Sequence, residues 1–144
     1  MPDGRLGLID YGQVVHLSSA QRRQLASLTL ALAHGGGDGE DRVAAAARRM
    51  GFRTRRMDGA VVSALARVLF DRDVPGEGPA KVLRRLDSAD PIQAIPHEYI
   101  LCARVSLLLR GMSQLMAQRR LSTASCWRRN ARMALSEWNR GRGR

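Results

Sequence analysis

The apolar pattern of this chain points to a mainly α-helical fold with one short β element near the N-terminus. Apolar residues recur at three- and four-residue spacing from Ser18 onward, and capping residues stand at the heads of those stretches. Only residues 6–9 read as the short apolar run of a buried strand. With 144 residues, 44% of them hydrophobic, a single domain with one core is expected over residues 1–144.

Pro2-Asp3-Gly4-Arg5 reads as a turn, because proline presets its own φ and the Asp-Gly pair tolerates turn geometry. Leu6, Leu8 and Ile9 then form a short buried strand with Asp10 at its end. Tyr11, Gly12 and Gln13 break the run before Val14 and Val15, so residues 1–16 are expected to be strand, loop and a second short extended piece. No strand signal follows.

Ser18 and Gln21 have the spacing of a capping box, which predicts a helix with Leu25, Leu28 and Leu32 inward, ended by Gly35-Gly36-Gly37. Residues 41–50 form an Ala-rich helix stopped by Gly51. Asp58 caps a third helix whose apolar face is Val61, Leu65, Val68 and Leu69. Pro75-Gly76-Glu77-Gly78-Pro79 is a loop before a short helix at 81–86. A long helix starts at Pro96, where a missing N–H costs nothing, and runs through Ile100, Ala103, Leu107 and Leu115 as its inward stripe. Ser122 caps the last helix, with Trp127, Ala131, Leu135 and Trp138 inward. The layout is thus a β element and loop at 1–16, a bundle of about five helices at 17–139 and a basic tail at 140–144. Met112, Met116 and Met133 fill gaps in that bundle rather than serving a cofactor.

The net charge of +11 is not read as a nucleic-acid footprint. Of the 24 basic residues all but Lys81 are arginine, a skew that a GC-rich genome explains, and they are spread along the chain rather than interleaved with aromatics. The longest apolar runs are cut by Arg104 and Arg110, far short of a membrane span. Residues 1–5 carry neither a signal-peptide nor a transit-peptide pattern. Cys102 and Cys126 have no C-x-x-C spacing and suit a reducing compartment. His16, His34 and His97 stand apart from carboxylates and cysteines at ligand spacing, so no zinc site is expected.

The run Asp3-Gly4-Arg5-Leu6-Gly7-Leu8-Ile9-Asp10-Tyr11-Gly12-Gln13 resembles the strand and magnesium-binding loop of protein-kinase-like folds, and in its longer form that of the UbiB/ADCK (aarF-domain) atypical kinases. A strand fixes the aspartate so that it can hold the metal bridging nucleotide phosphates, while glycine lets the backbone turn away. The bland counterpart is an ordinary strand-ending turn, in which Asp and Gly are frequent. A second stretch, Ile95-Pro96-His97-Glu98-Tyr99 leading to Arg104-Val105 and Leu108-Leu109-Arg110-Gly111, resembles the family's late helix.

The resemblance implies the C-terminal helical lobe of a kinase-like fold. Its metal ligand would be Asp10, with Gly12 as the residue permitting the loop near the nucleotide, and Mg2+ and ATP as cofactors. Tyr11 departs from the more usual phenylalanine, and Gln13 belongs to the motif without a derivable role. In that family the nucleotide-covering Ala-rich loop, the phosphate-pairing lysine, its glutamate partner and the catalytic-loop aspartate and asparagine all precede the magnesium loop. Only nine residues precede Asp10, and Lys81 lies downstream in a helical pattern, so the chain is expected to be a C-terminal part that transfers no phosphate alone. The resemblance further implies an ATP-dependent kinase or ATPase in isoprenoid-quinone or prenyl-lipid metabolism, in mitochondria, plastids or bacteria, with membrane-surface or prenyl-lipid association. Nucleic acid is not an expected partner. Two rivals stand beside it: a non-catalytic, stand-alone helical module that binds a partner or membrane surface through its arginines and has a closed core with no exposed apolar face, and a fragment of an aminoglycoside-type phosphotransferase, which shares a similar metal aspartate.

Overall fold

The computed structural model describes residues 14–34, 39–116 and 121–141. Within them the mainly α-helical expectation holds: six helices surround one small antiparallel β pair. The expected strand at 6–9 and the metal loop lie outside the described residues, and residues 14–18 form no regular element.

Helix α1 (Ser19–Ala33) begins on the capping box. Ser18 Oγ accepts from the Gln21 N–H at 3.2 Å, and Gln21 Oε1 accepts from the Ser18 N–H at 2.8 Å. Leu28 and Leu32 are its fully buried residues of the leucine stripe. Helix α2 (Gly39–Arg49) starts two residues before the expected point. Glu40 and Asp41 lie in its first turn and Arg48 and Arg49 in its last, which suits the helix dipole at both ends. Gly51 follows at φ 98°, and a Cβ there would sit 3.0 Å from Pro96 Cγ. Both the left-handed backbone and the close approach therefore require glycine.

Helix α3 (Gly59–Phe70) is the central element, packed against α2, α4 and α5. Asp58 caps it, accepting from the N–H groups of Ala60 and Val61 at 2.8 and 3.2 Å. Val62, Leu65 and Ala66 are fully buried, and Phe70 stacks obliquely against Phe52 at 6.2 Å between ring centroids. Helix α4 (Pro79–Ala89) is longer than the 81–86 expected, since Pro79 occupies the first helical position, where its missing N–H is harmless. Helix α5 (His97–Leu115) uses Pro96 as its N-cap rather than its first residue. Helix α6 (Thr123–Gly141) takes in the start of the expected basic tail and packs on α1, where the Arg23 guanidinium lies 4.5 Å from the Trp138 ring centroid.

Two sequence expectations are corrected. First, strand β1 (Arg53–Thr54) pairs antiparallel with β2 (Ile92–Ala94), where no strand was expected after residue 16. Elements of two and three residues carry no alternation to read. The pair is fixed instead by the buried Asp90, which accepts from Thr54 Oγ1 at 2.6 Å, the Arg56 N–H at 2.8 Å and the Asp58 N–H at 3.0 Å. Burial alone raises this carboxyl, but those three donors and the Arg56 charge together hold it below the ordinary carboxylate range.

Second, α5 is turned differently from the expected stripe. Ala103 is buried, but Leu107 is half-buried, Ile100 is exposed and Leu115 is 89% exposed. The inward face is Tyr99, Ala103, Ser106, Arg110 and Ser113. Apolar spacing failed here because hydrogen bonding to neighbouring elements, described next, sets the helix's rotation.

Candidate functional site

Asp10 and Gly12, the residues predicted to hold metal and shape the loop, lie outside the described residues, as do Tyr11 and Gln13. The second resembling stretch is described in full. Pro96 caps α5, and Tyr99, 1% exposed, donates from its hydroxyl to Gln24 Oε1 at 2.6 Å, fastening the start of α5 to α1. Burial, with Cys102 and Glu98 nearby, pushes the Tyr99 phenol upward, so it stays a neutral donor. Burial likewise raises the Cys102 thiol, which keeps it a protonated, weakly nucleophilic group.

Toward the other end of α5 lies the most polar part of the interior. Arg110 is 2% exposed, and each of its three nitrogens faces an oxygen: Nε stands 3.2 Å from Asp73 Oδ1, Nη1 donates to Ser106 Oγ at 3.2 Å, and Nη2 donates to the Val68 carbonyl. Burial draws the guanidinium's pKa down, while Asp73 and Asp71 draw it up. Thr123 Oγ1 lies 2.7 Å from both Ser106 Oγ and the Phe70 carbonyl. With Thr123 donating to that carbonyl, Ser106 donates to Thr123 and accepts from Arg110. One directional relay then ties the end of α3, the middle of α5 and the start of α6.

Asp71 completes the junction. Its carboxylate accepts from Arg72 Nε at 2.6 Å and from the Ser122 hydroxyl, while its carbonyl accepts the Thr123 N–H at 3.0 Å. Ser122 also accepts from the Ser125 N–H at 3.1 Å, the cap expected of it.

Above this junction opens a cleft of about 920 Å³, lined among others by Arg72, Asp73, Glu77, Arg110, Gln114 and Ser122. Its charges are mutually engaged. Asp73 takes Arg110 on one oxygen and Gln114 Nε2 at 2.8 Å on the other, and Glu77 lies 3.5 Å from Arg85. Among the described residues no group of three or more His, Cys, Asp or Glu is placed to hold a metal ion. The chemistry visible here is that of a polar joint between helices. Lys81 is exposed on α4.

Sequence reasoning missed Asp71, Asp73, Asp90 and Arg110 as organising residues. The only signals were weak: an Asp-x-Asp ahead of a Pro-Gly loop, an Asp-Pro step, and one arginine interrupting a run of leucines. No helix among the described residues is long and apolar enough to cross a membrane. No family model, no curated protein and no solved structure matches the chain.

Proposed function

We propose that this chain is the C-terminal helical part of an atypical, protein-kinase-like ATP-dependent kinase or ATPase of the UbiB/ADCK kind, linked to isoprenoid-quinone or prenyl-lipid metabolism and inactive alone. The observation that carries the reading is the behaviour of the late-helix stretch. Residues quoted for the resemblance, Pro96, Tyr99 and Arg110, are those that cap α5, tie it to α1 and lock it to α3 and the loop after it. In this reading Asp10 ligates the metal and Gly12 permits the loop. Magnesium held there would neutralise and bridge the nucleotide phosphates.

The closed-module rival is disfavoured by a specific feature. A self-contained helical module leaves no apolar face open, whereas α5 exposes Leu108, Met112 and Leu115 at 58%, 53% and 89%. The aminoglycoside-type alternative shares the metal aspartate and differs in the catalytic loop that would precede it.

The test has two arms. The coding sequence upstream of Met1 should specify the family's catalytic-loop aspartate and asparagine, and in the protein extended to include them Asp10→Asn should abolish magnesium-dependent nucleotide turnover while leaving thermal unfolding nearly unchanged. Unaltered turnover and magnesium dependence in a folded Asp10→Asn protein would remove Asp10 from the mechanism. The 144-residue chain should hydrolyse no ATP; hydrolysis lost on Asp10→Ala would contradict its proposed inactivity.

A further inference from the structure

The cleft above the junction of α3, α5 and α6 has a charged floor. Arg110 reaches it while only 2% exposed, and its Nη1 and Nη2 are already held by Ser106 Oγ and the Val68 carbonyl. The guanidinium is thus fixed from behind, and Nε is left for whatever lies on the cleft side. Asp73 lies there. One of its oxygens stands 3.2 Å from Arg110 Nε and the other accepts from Gln114 Nε2 at 2.8 Å, so the carboxylate bridges two donors one helical turn apart on α5.

That bridge is loose at its charged end. A hydrogen-bonded pair of ions closes to about 2.7–2.9 Å. Arg110 Nε and Asp73 Oδ1 are both buried, and neither has an aligned hydrogen bond. Asp73 is 23% exposed and stands in the irregular segment between α3 and α4, so rotation about its own side-chain bonds carries the carboxylate to water. Arg110, locked into the interior of the bundle, stays behind.

We propose that this cleft binds a small organic carboxylic acid in its ionised form. The ligand's carboxylate replaces that of Asp73 on Arg110 Nε and Gln114 Nε2, and Asp73 acts as a tethered competitor that closes the site. The inference does not depend on the kinase reading.

Charge and shape select the head group. The charged residues lining the cleft, among those described, are Arg72, Asp73, Glu77 and Arg110. Arg72 is engaged by Asp71, and Glu77 lies beside Arg85. When Asp73 leaves, one buried positive charge stands unpaired, which is costly, and a single negative charge restores the balance. A phosphate monoester would bring nearly two, beside Asp71 and Glu77. The donors, moreover, already hold a planar group with two oxygens.

Volume selects the rest of the molecule. At about 920 Å³ the cleft lies within the roughly 300–1,000 Å³ range of small-molecule pockets and holds far more than a carboxylate. Val74, Pro75, Pro79 and Leu121 give it an apolar wall, which fits an acid with an apolar body. The tethered competitor sets the affinity. If Asp73 is in place about 90–99% of the time, apparent binding is about 10–100-fold weaker than the open site allows.

The test titrates the 144-residue chain with sodium benzoate at constant ionic strength, followed by the NMR signals of the Arg110 Nε–H and the Gln114 side-chain amide and by thermal unfolding. Benzoate should shift both signals saturably and raise the melting temperature, whereas benzyl alcohol, with the same ring and no charge, should do neither. Asp73→Ala should bind benzoate at least about tenfold more tightly, with Asp73→Asn as the parallel variant where alanine unfolds the chain. Gln114→Ala, at an exposed position, should bind more weakly with unchanged circular dichroism. The absence of a saturable shift in wild type and in the folded Asp73 variant would overturn the proposal, as would an affinity that the Asp73 change leaves unaltered. Equal binding of benzyl alcohol would reduce the site to its apolar wall. Phenyl phosphate binding more tightly than benzoate would assign it to dianions, and either result overturns the carboxylate assignment.

Discussion

Truncating Arg110 to alanine removes the residue on which the α3, α5 and α6 junction turns, and its cost follows from what the guanidinium touches. The Val68 carbonyl loses a charged donor, an interaction worth about 1.5–3 kcal/mol, and the buried stem loses its Cγ and Cδ methylenes at ~0.8 kcal/mol each. Removing one partner of a buried ion pair typically costs about 3–5 kcal/mol. Asp73 is 23% exposed and keeps Gln114, so water can re-solvate it and the lower end applies, about 3 kcal/mol. Against a total stability of about 5–15 kcal/mol that is a large share. Urea unfolding followed by circular dichroism should show the midpoint falling by roughly 1–3 M for a slope of about 1–3 kcal/mol per M. Arg110→Met, which keeps most of the stem, should lose about half as much. Arg110→Lys should fall between wild type and alanine, because an ammonium cannot reach three acceptors held in a planar fork. A loss below about 1 kcal/mol for Arg110→Ala would refute the view that this side chain holds the junction.

Asp90→Asn should lower the melting temperature at neutral pH, since the amide brings a donor against three donors already aimed at the carboxylate. Because the folded carboxyl titrates below its unfolded value of about 3.9, its contribution is present above that value and lost as pH falls toward the folded pKa; melting scans should show that acid-limb slope shrinking in the variant. Gly51→Ala should destabilise by about 1–3 kcal/mol in the same urea assay, from left-handed backbone and the approach to Pro96, and a neutral result would contradict the assigned geometry. Leu65→Ala, fully buried on α3, should cost about 2–5 kcal/mol, whereas the half-buried Leu107→Ala should cost clearly less; equal losses would mean that α5 is rotated from the orientation described.

Local chemistry made much of this fold legible. The Ser18–Gln21 box, the Asp58 cap and the Ser122 cap are interactions between residues three or fewer apart, so sequence spacing contains them. The β pair was not legible, because Arg53 meets Ala94 across some forty residues and neither strand is long enough to show alternation. The rotation of α5 failed for a related reason. Leucine is its commonest residue, and a reading by hydrophobicity turns the leucines inward. The structure turns in Ser106, Arg110 and Ser113 instead, because Val68, Phe70, Asp73 and Thr123 supply the partners that make a polar face cheaper to bury than to expose. Of the candidate site, Asp10 and Gly12 lie outside the described residues, while the Asp71, Asp73 and Arg110 junction depends on three elements meeting and has no signature in any one of them.

The packing of α6 on α1 joins the first described helix to the last, with most of the chain between them. Pairings of such long sequence separation form late and slowly, because the intervening loop must close before any contact rewards it. During synthesis α1 is complete at Ala33, well before α6 begins at Thr123, and until then the side of α1 that α6 will cover stays open to water and to other nascent chains. Truncation before Thr123 should therefore yield a chain that collapses around α3 yet aggregates through α1.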